Sequence, residues 1–201
     1  MNHKPYKEIK LEQGTPEWLS LRRNLIGASD SSAILGCGYK SANKLYNEKM
    51  SDKPVIMNDA MKRGSQLEPI ARQHANEILG VQFIPIVCVS IRYPWLLASL
   101  DGWHEETQTI LEIKCGGAKL HANAREGKIP NYYISQMQHQ MAVTGSRMCY
   151  YYSFDGEDDG VCLHVNRDDG YIKDYLPKSK YFWDCMQDYM IPDMKKFKPT
   201  T

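Results

Sequence analysis

Apolar positions along the chain change period part-way, and the change divides it into blocks. "GTPEWLSLRRNLIG" opens with Thr15 and Pro16, an N-cap residue followed by a first-turn proline, and reads as a helix. "GASDSSAILG" reads as a second, shorter helix, capped by Ser29 or Asp30 and stopped near Gly36. From about Asn58 to Leu79 the positions Met61, Leu67, Ala71, Ala75 and Ile78 fall at helical spacing, with Gly80 as the residue just past the end. Short runs follow, "VQFIPIVCVSI", "WLLASLD" and "TILEIKC", rich in β-branched and other apolar residues and punctuated by Pro94 and Asp101-Gly102. After Gly116-Gly117 a helix is expected from about Asn131 to Val143, ended by Gly145. "MCYYYSF" and "VCLHVN" then read as strands around "DGEDDG", and a last amphipathic helix is expected from about Gly170 to Lys196. The order predicts one α/β domain with a mixed central β-sheet flanked by helices, spanning residues 1–201.

Composition narrows the class. At 201 residues with 42% apolar and 24% charged content, the chain has enough material for a buried core. It holds no apolar run near the roughly 20 residues of a membrane helix, and no apolar segment of a secretory signal follows the polar start "MNHKPYKEIK". Cytoplasm is the expectation, with no membrane partner. Six cysteines stand singly, which suits free thiols better than a disulfide framework; only Cys162 and His164 are close enough to suggest zinc, and one such pair is too few. The net charge of +1 is too small to mark a nucleic-acid binder by itself. Local basic candidates are Arg22-Arg23, the segment Lys119 to Lys128 with Arg125, and the tail "DMKKFKPT"; plain solvated surface is the simpler reading of each.

The candidate chemistry lies in "SLDGWHEETQTILEIKCGG". Residues two apart on a strand share a face, so Glu112 and Lys114 project together while Leu111 and Ile113 enter the opposite, apolar layer. If the two strands are neighbours, Asp101 reaches Glu112 across the hairpin end. Two carboxylates and an ammonium in one pocket suit metal-assisted phosphodiester hydrolysis. A pair of solvated charges on an edge strand satisfies the same spacing, because D-x10-E-x-K is a loose pattern.

"LDG…LEIKC" resembles the PD-(D/E)-x-K nuclease core, and more closely that of the lambda exonuclease and YqaJ-type viral recombinase family. Three further stretches, in order, are similar to that family's motifs: "EWLSLRRNLIGAS", "RGSQLEPIAR" and "YYISQMQHQMAVTG". The resemblance implies a restriction-endonuclease-like core and a Mg²⁺-dependent exonuclease (two ions, with Mn²⁺ able to substitute). Such an enzyme degrades double-stranded DNA from a 5′ end and leaves a 3′ overhang for recombination. It further implies a ring-shaped homotrimer and a single-strand annealing protein as partner. Carried over by position, Asp101 and Glu112 would be the main metal carboxylates, with Glu68 and the Ile113 carbonyl completing the site. Lys114 would be the catalytic lysine, and Gln136 would position it or the attacking water. Tyr133 would line the site, and Arg22 and Ser29 would hold a 5′-phosphate, the serine helped by N–H groups at a helix start. The plainer alternatives are a surface i,i+4 pair of Glu68 with Arg72, and Arg22 as surface charge.

Leu100 stands where the family pattern has proline, and Lys119 to Pro130 matches no motif, which leaves it as a loop over the DNA. On α-helical spacing Tyr133, Gln136 and Gln140 share one face and Ile134, Met137 and Met141 another. The tyrosines could stack on unpaired bases, although "CYYYSF" reads more simply as a strand alternating core and surface. A site- or structure-specific endonuclease and a non-catalytic DNA-binding subunit stay open beside the exonuclease reading.

Overall fold

The computed structural model describes residues 4–53 and 58–197. The first part contains β1 (Tyr6–Ile9), α1 (Pro16–Asn24), β2 (Ile26–Gly27), α2 (Ser31–Leu35) and α3 (Ala42–Met50). The middle holds α4 (Asp59–Leu79), β3 (Ile84–Ser90), β4 (Leu96–His104), β5 (Thr109–Lys114), α5 (Ala118–Arg125) and α6 (Asn131–Thr144). The chain ends with β6 (Met148–Phe154), β7 (Gly160–Asn166), α7 (Asp169–Gln187) and a 3₁₀ turn at Met194–Phe197. The strands form one mixed sheet in the order β1-β3-β4-β5-β6-β7, with β2 added to β4. Among the described residues only β5–β6 and β2–β4 pair in parallel. The β5–β6 step needs a crossover, which α5 and α6 supply.

The local signals account for most boundaries. The Thr15 hydroxyl accepts from the Trp18 N–H and starts α1, and Asn58 does the same for α4 through Met61 N–H. Gly36, Gly80 and Gly145 each follow a helix in the left-handed conformation that glycine adopts without strain.

Four expectations need correction. Residues 119–130 are not simply a loop: Ala118–Arg125 form α5, which buries His121 and Ala124 against β6 and β7. The last helix stops at Gln187 rather than near Lys196, and Tyr189 (φ 56) turns the chain before Pro192. Asp30 holds the N-cap position of α2 but makes no side-chain cap: its carboxylate turns back to the Gly27 N–H at 2.8 Å, and Ser29 accepts from Arg22 instead. "CYYYSF" does not alternate core and surface, because β6 lies between two strands with helices over both faces, so Tyr151 and Tyr152 are both fully buried. The short strand β1 and helix α3 give no strong periodic signal, and no element was expected there. Of the basic tail, residues 198–201 lie outside the described residues.

One core layer joins α6 (Met137, Met141, Val143) to Leu96, Leu100, Ile110 and Tyr151. The other packs Ala71 and Ala75 of α4 on Phe83, Leu111, Ile113, Tyr152 and Phe154. Leu111 and Ile113 thus fill the apolar layer opposite Glu112, as the strand period requires. No helix among the described residues is long and apolar enough to cross a membrane.

The β4–β5 ladder runs from His104↔Thr109 to Gly102↔Leu111 and stops there. Gly102 sits so close to Phe83 and Leu111 that an added Cβ would lie 2.7 Å and 3.0 Å from their Cβ atoms. Gly102→Ala is therefore expected to cost about 1–3 kcal/mol by overpacking, read as a lower urea midpoint at unchanged slope. An unchanged midpoint would contradict this packing.

Candidate active site

Beyond Gly102↔Leu111 the two strands part, and three of the backbone groups the ladder leaves behind find side-chain partners. The Ile113 N–H donates to Asp101 Oδ2 at 2.8 Å. The Leu100 carbonyl accepts from Gln13 Nε2 at 3.2 Å, and the Asp101 carbonyl accepts from the Arg72 guanidinium. Asp101 thereby sits in the fork between β4 and β5. On the other side of the fork β5 keeps its parallel pairing with β6 through Lys114↔Ser153.

Glu112 projects from β5 toward α6 and is fully buried, at 0% exposure. Its Oε1 accepts from the Lys114 ammonium and from Gln136 Nε2 at 2.6 Å, and its Oε2 accepts from the Gln140 amide. One cation and two amides are what a buried carboxylate needs to remain in a protein interior. The Tyr133 ring lies with its centroid 4.9 Å from Lys114 Nζ. The face shared by Tyr133, Gln136 and Gln140 is thus turned into the site rather than to solvent.

Charge in the fork is strongly coupled. Burial, then Glu112 and Glu68, push the Asp101 carboxyl well above the usual range, against the pull of Lys114 and the Ile113 N–H. Burial disfavours the charge on Lys114, but Glu112 and Asp101 outweigh it and hold its ammonium above the ordinary lysine range. Glu68 comes from α4 and pairs with Arg72 at 3.0 Å. Glu68 forms the i,i+4 pair, and that pair stands beside Asp101, whose carbonyl accepts from the same Arg72.

Among the described residues, the one trio of His, Cys, Asp or Glu side chains with ligand atoms all within 4.8 Å of one another is His121, Asp155 and Asp159. Glu68, Asp101 and Glu112 do not close to that spacing, since Glu68 is drawn to Arg72 and Glu112 to its three donors. The His121 trio is satisfied without an ion. Asp159 accepts from His121 Nε2 at 2.8 Å and from Arg125, and Asp155 accepts from the Glu157 and Asp159 N–H groups. The fork offers a different donor set, hard carboxylate oxygens whose crowded negative charge raises the Asp101 pKa, and that set suits a divalent cation such as Mg²⁺.

Arg22 and Ser29 form a second cluster. Arg22 Nη2 donates to Ser29 Oγ at 2.8 Å, and its guanidinium lies 4.7 Å over the Trp18 ring. Trp18 Nε1 in turn donates to Ser99 Oγ at 2.8 Å, two residues before Asp101 on β4. Ser29 is exposed and Arg22 half-buried, so the pair faces outward. Below it Asp30 and Lys49 form a buried ion pair at 2.7 Å. Despite burial, Lys49 and Arg22 hold the Asp30 carboxyl low.

The domain model of the YqaJ-like viral recombinase matches residues 17–147. The chain belongs to this family. It is 31% identical over 181 residues to the uncharacterized protein YqaJ of Bacillus subtilis (strain 168), covering 86% of this chain and 56% of that protein. The chain thus spans little more than half the length of that curated relative. Among solved structures, LHK-Exo in complex with dAMP superposes with a TM-score of 0.75 at 27% identity, over 92% of this chain and 96% of that one. A second structure, of this alkaline exonuclease from Laribacter hongkongensis, matches at 0.71 and 29%, over 87% and 94%. A phage-related exonuclease from Haemophilus somnus 129PT shares the fold at 0.62 with 12% identity, over 82% and 96%. The mixed sheet with flanking helices is therefore the alkaline exonuclease fold.

The family motif residues Asp101, Glu112, Lys114, Gln136 and Tyr133 are in mutual contact or one residue removed from it, with Glu68 at the rim. Arg22 and Ser29 form a separate pair anchored to the same strand. Sequence reasoning gave no role to Gln140 or Gln13 and saw Arg72 only as the i,i+4 partner of Glu68. Gln140 was visible in the helical spacing; Gln13, and the bond from Arg72 to the Asp101 carbonyl, carry no pattern that marks them.

The raised Asp101 pKa has a consequence for stability. The unfolded chain releases the Asp101 proton near the ordinary aspartate value of 3.8, while the folded chain keeps it to higher pH. The metal-free protein therefore loses stability as pH rises from about 4 toward the folded value. Asp101→Asn, which keeps an acceptor for Ile113 N–H, is expected to melt higher than wild type in EDTA, with a gap larger at pH 8 than at pH 5. A gap that shrinks with pH would contradict the assignment.

Proposed function

We propose that this chain is a Mg²⁺-dependent deoxyribonuclease that degrades double-stranded DNA from a 5′ end and leaves a 3′ single-stranded overhang. The observation that carries the reading is the meeting of Asp101, Glu112 and Lys114 in the fork where β4 leaves β5, in a chain of this family. The exonucleases among the solved structures, one of them bound to dAMP, support the substrate class.

Asp101 and Glu112 would hold the ion, with Glu68 and the Ile113 carbonyl completing its shell. The ion, when bound, neutralises phosphate charge and lowers the pKa of a coordinated water. The residues of the chain supply the rest. Lys114, held beside Glu112, would direct its ammonium at the reacting phosphate and its nucleophile. Gln136 fixes the Glu112 oxygen that Lys114 shares, and Gln140 fixes the other, so the carboxylate keeps one orientation. Tyr133 covers the lysine with an aromatic face; burial raises its phenol, against Lys114, and keeps it neutral. Arg22 and Ser29 would grip a terminal 5′-phosphate by charge-assisted hydrogen bonds.

A homotrimeric ring, a single-strand annealing protein as partner and a cytoplasmic location belong to this proposal and rest on the family likeness.

The test is digestion of linear duplexes, 5′-phosphorylated or not, with each strand labelled separately. Mg²⁺-dependent loss of the 5′-ended strand is expected. Asp101→Ala should retain its circular dichroism and lose about 10³-fold or more in rate, the scale of removing a strong electrostatic stabiliser. Wild-type digestion by that variant would refute the site. Cutting of covalently closed circles would indicate an endonuclease, and DNA binding without shortening a non-catalytic subunit. Arg22→Ala should raise KM for 5′-phosphorylated ends by about 10- to 100-fold and leave 5′-hydroxyl ends unchanged, since one charge-assisted contact pair is lost. An equal effect on both ends would remove the phosphate role.

A further inference from the structure

A row of tyrosine rings leads out of the site. Tyr133, over Lys114, is 5.8 Å from the buried Tyr151 on its inner side. On its outer side Tyr132 lies with ring centroids 4.4 Å apart, and Tyr39 follows 5.0 Å from Tyr132. The Tyr39 and Tyr132 hydroxyls are 3.2 Å apart. Tyr39 stands between α2 and α3 and is 92% exposed.

Such a ring contributes little to the fold, because almost none of its apolar surface leaves water. It is nevertheless fixed from behind by Tyr132, which is itself fixed against the wall of the catalytic fork. A base inserted between two rings needs about 7 Å, twice the ~3.4 Å stacking repeat. Neither 4.4 Å nor 5.0 Å provides that, and the interplanar angles of 62° and 52° make no parallel slot. The open face of Tyr39 is the surface left for a ligand. A polynucleotide with its scissile phosphate at Lys114 carries its neighbouring bases away from that point, and the row of rings offers one such path. Inside a duplex, bases already stack on each other, so a base free to stack on Tyr39 is an unpaired one.

We propose that Tyr39, backed by Tyr132, is a stacking platform for an unpaired base of the strand being cut, one or two nucleotides from the phosphate at Lys114. The inference rests on the nuclease reading and adds to it an aromatic contact for an unpaired base outside the catalytic residues. Its chemistry is sequence-tolerant, since every base presents a π-face.

The test pairs a ring deletion with a base deletion. Tyr39→Ala is expected to raise KM on a linear duplex about tenfold, within the range measured for loss of one base–aromatic stack, with kcat within about twofold. Tyr39→Trp should restore KM. For wild type, an abasic residue scanned through the terminal nucleotides should give the same rise at one or two adjacent positions. There the abasic site should cost Tyr39→Ala nothing further, because both changes remove one contact. Additive costs, or no change in KM with Tyr39→Ala, would overturn the platform. In EDTA, 5-iodouracil at the same positions should photocrosslink to Tyr39 or Tyr132, and crosslinks confined to other residues would also overturn it. Wild-type protein that cuts none of these duplexes would sink the nuclease reading and this inference together. Wild type that cuts them all while Tyr39→Ala matches it would sink this inference alone.

Discussion

The ladder between β4 and β5 ends early, and the site depends on that ending. Two antiparallel strands that continued to pair would bond Ile113 N–H to β4 and leave no room for a carboxylate between them. Instead Asp101 takes that N–H, Gln13 takes the Leu100 carbonyl, and Arg72 takes the Asp101 carbonyl. Parting the strands costs no unpaired backbone group among these. It places one carboxylate in the fork and leaves a second, Glu112, beside it on β5. Tight packing at Gly102 marks the last point at which the strands are in register.

The polar groups around the fork are unequally satisfied. Glu112 has three donors, whereas Asp101 is held by one backbone N–H against burial and two neighbouring acids. Gln140 Oε1 is buried with no partner. An acid whose ionisation is disfavoured and a buried acceptor without a donor are costs that a packed interior normally avoids. Their concentration at one point is the pattern of a site that gives up stability for a ligand's charge. By contrast, His121, Asp155 and Asp159 lie closer together but are already satisfied by one another, Arg125 and the backbone.

Much of this was legible in the residues. The two-residue period of "TILEIKC" puts Glu112 and Lys114 on one face and Leu111 and Ile113 on the other, and the structure keeps that division. Thr15, Asn58, Gly80 and Gly145 mark helix ends because their side chains, or lack of one, act locally. The spacing of Tyr133, Gln136 and Gln140 shows a shared face, but not that the face would be buried against Glu112. What escaped was tertiary. Tyr151 and Tyr152 are both buried because helices lie on both sides of the sheet, which no strand can announce by itself. Helix α5 opens after Gly117, whose φ of +79° needs glycine, but its one buried turn against β6 and β7 leaves too few apolar positions to read. Gln13 and Arg72 act on backbone carbonyls of β4, a role with no residue pattern.

The central claim is that the fork, and not the tighter His121 cluster, binds a divalent cation. An anomalous difference map from crystals soaked in Mn²⁺ tests it most directly. The account predicts a peak in contact with both Asp101 and Glu112. A map with no peak there, or with its peak only among His121, Asp155 and Asp159, would contradict it.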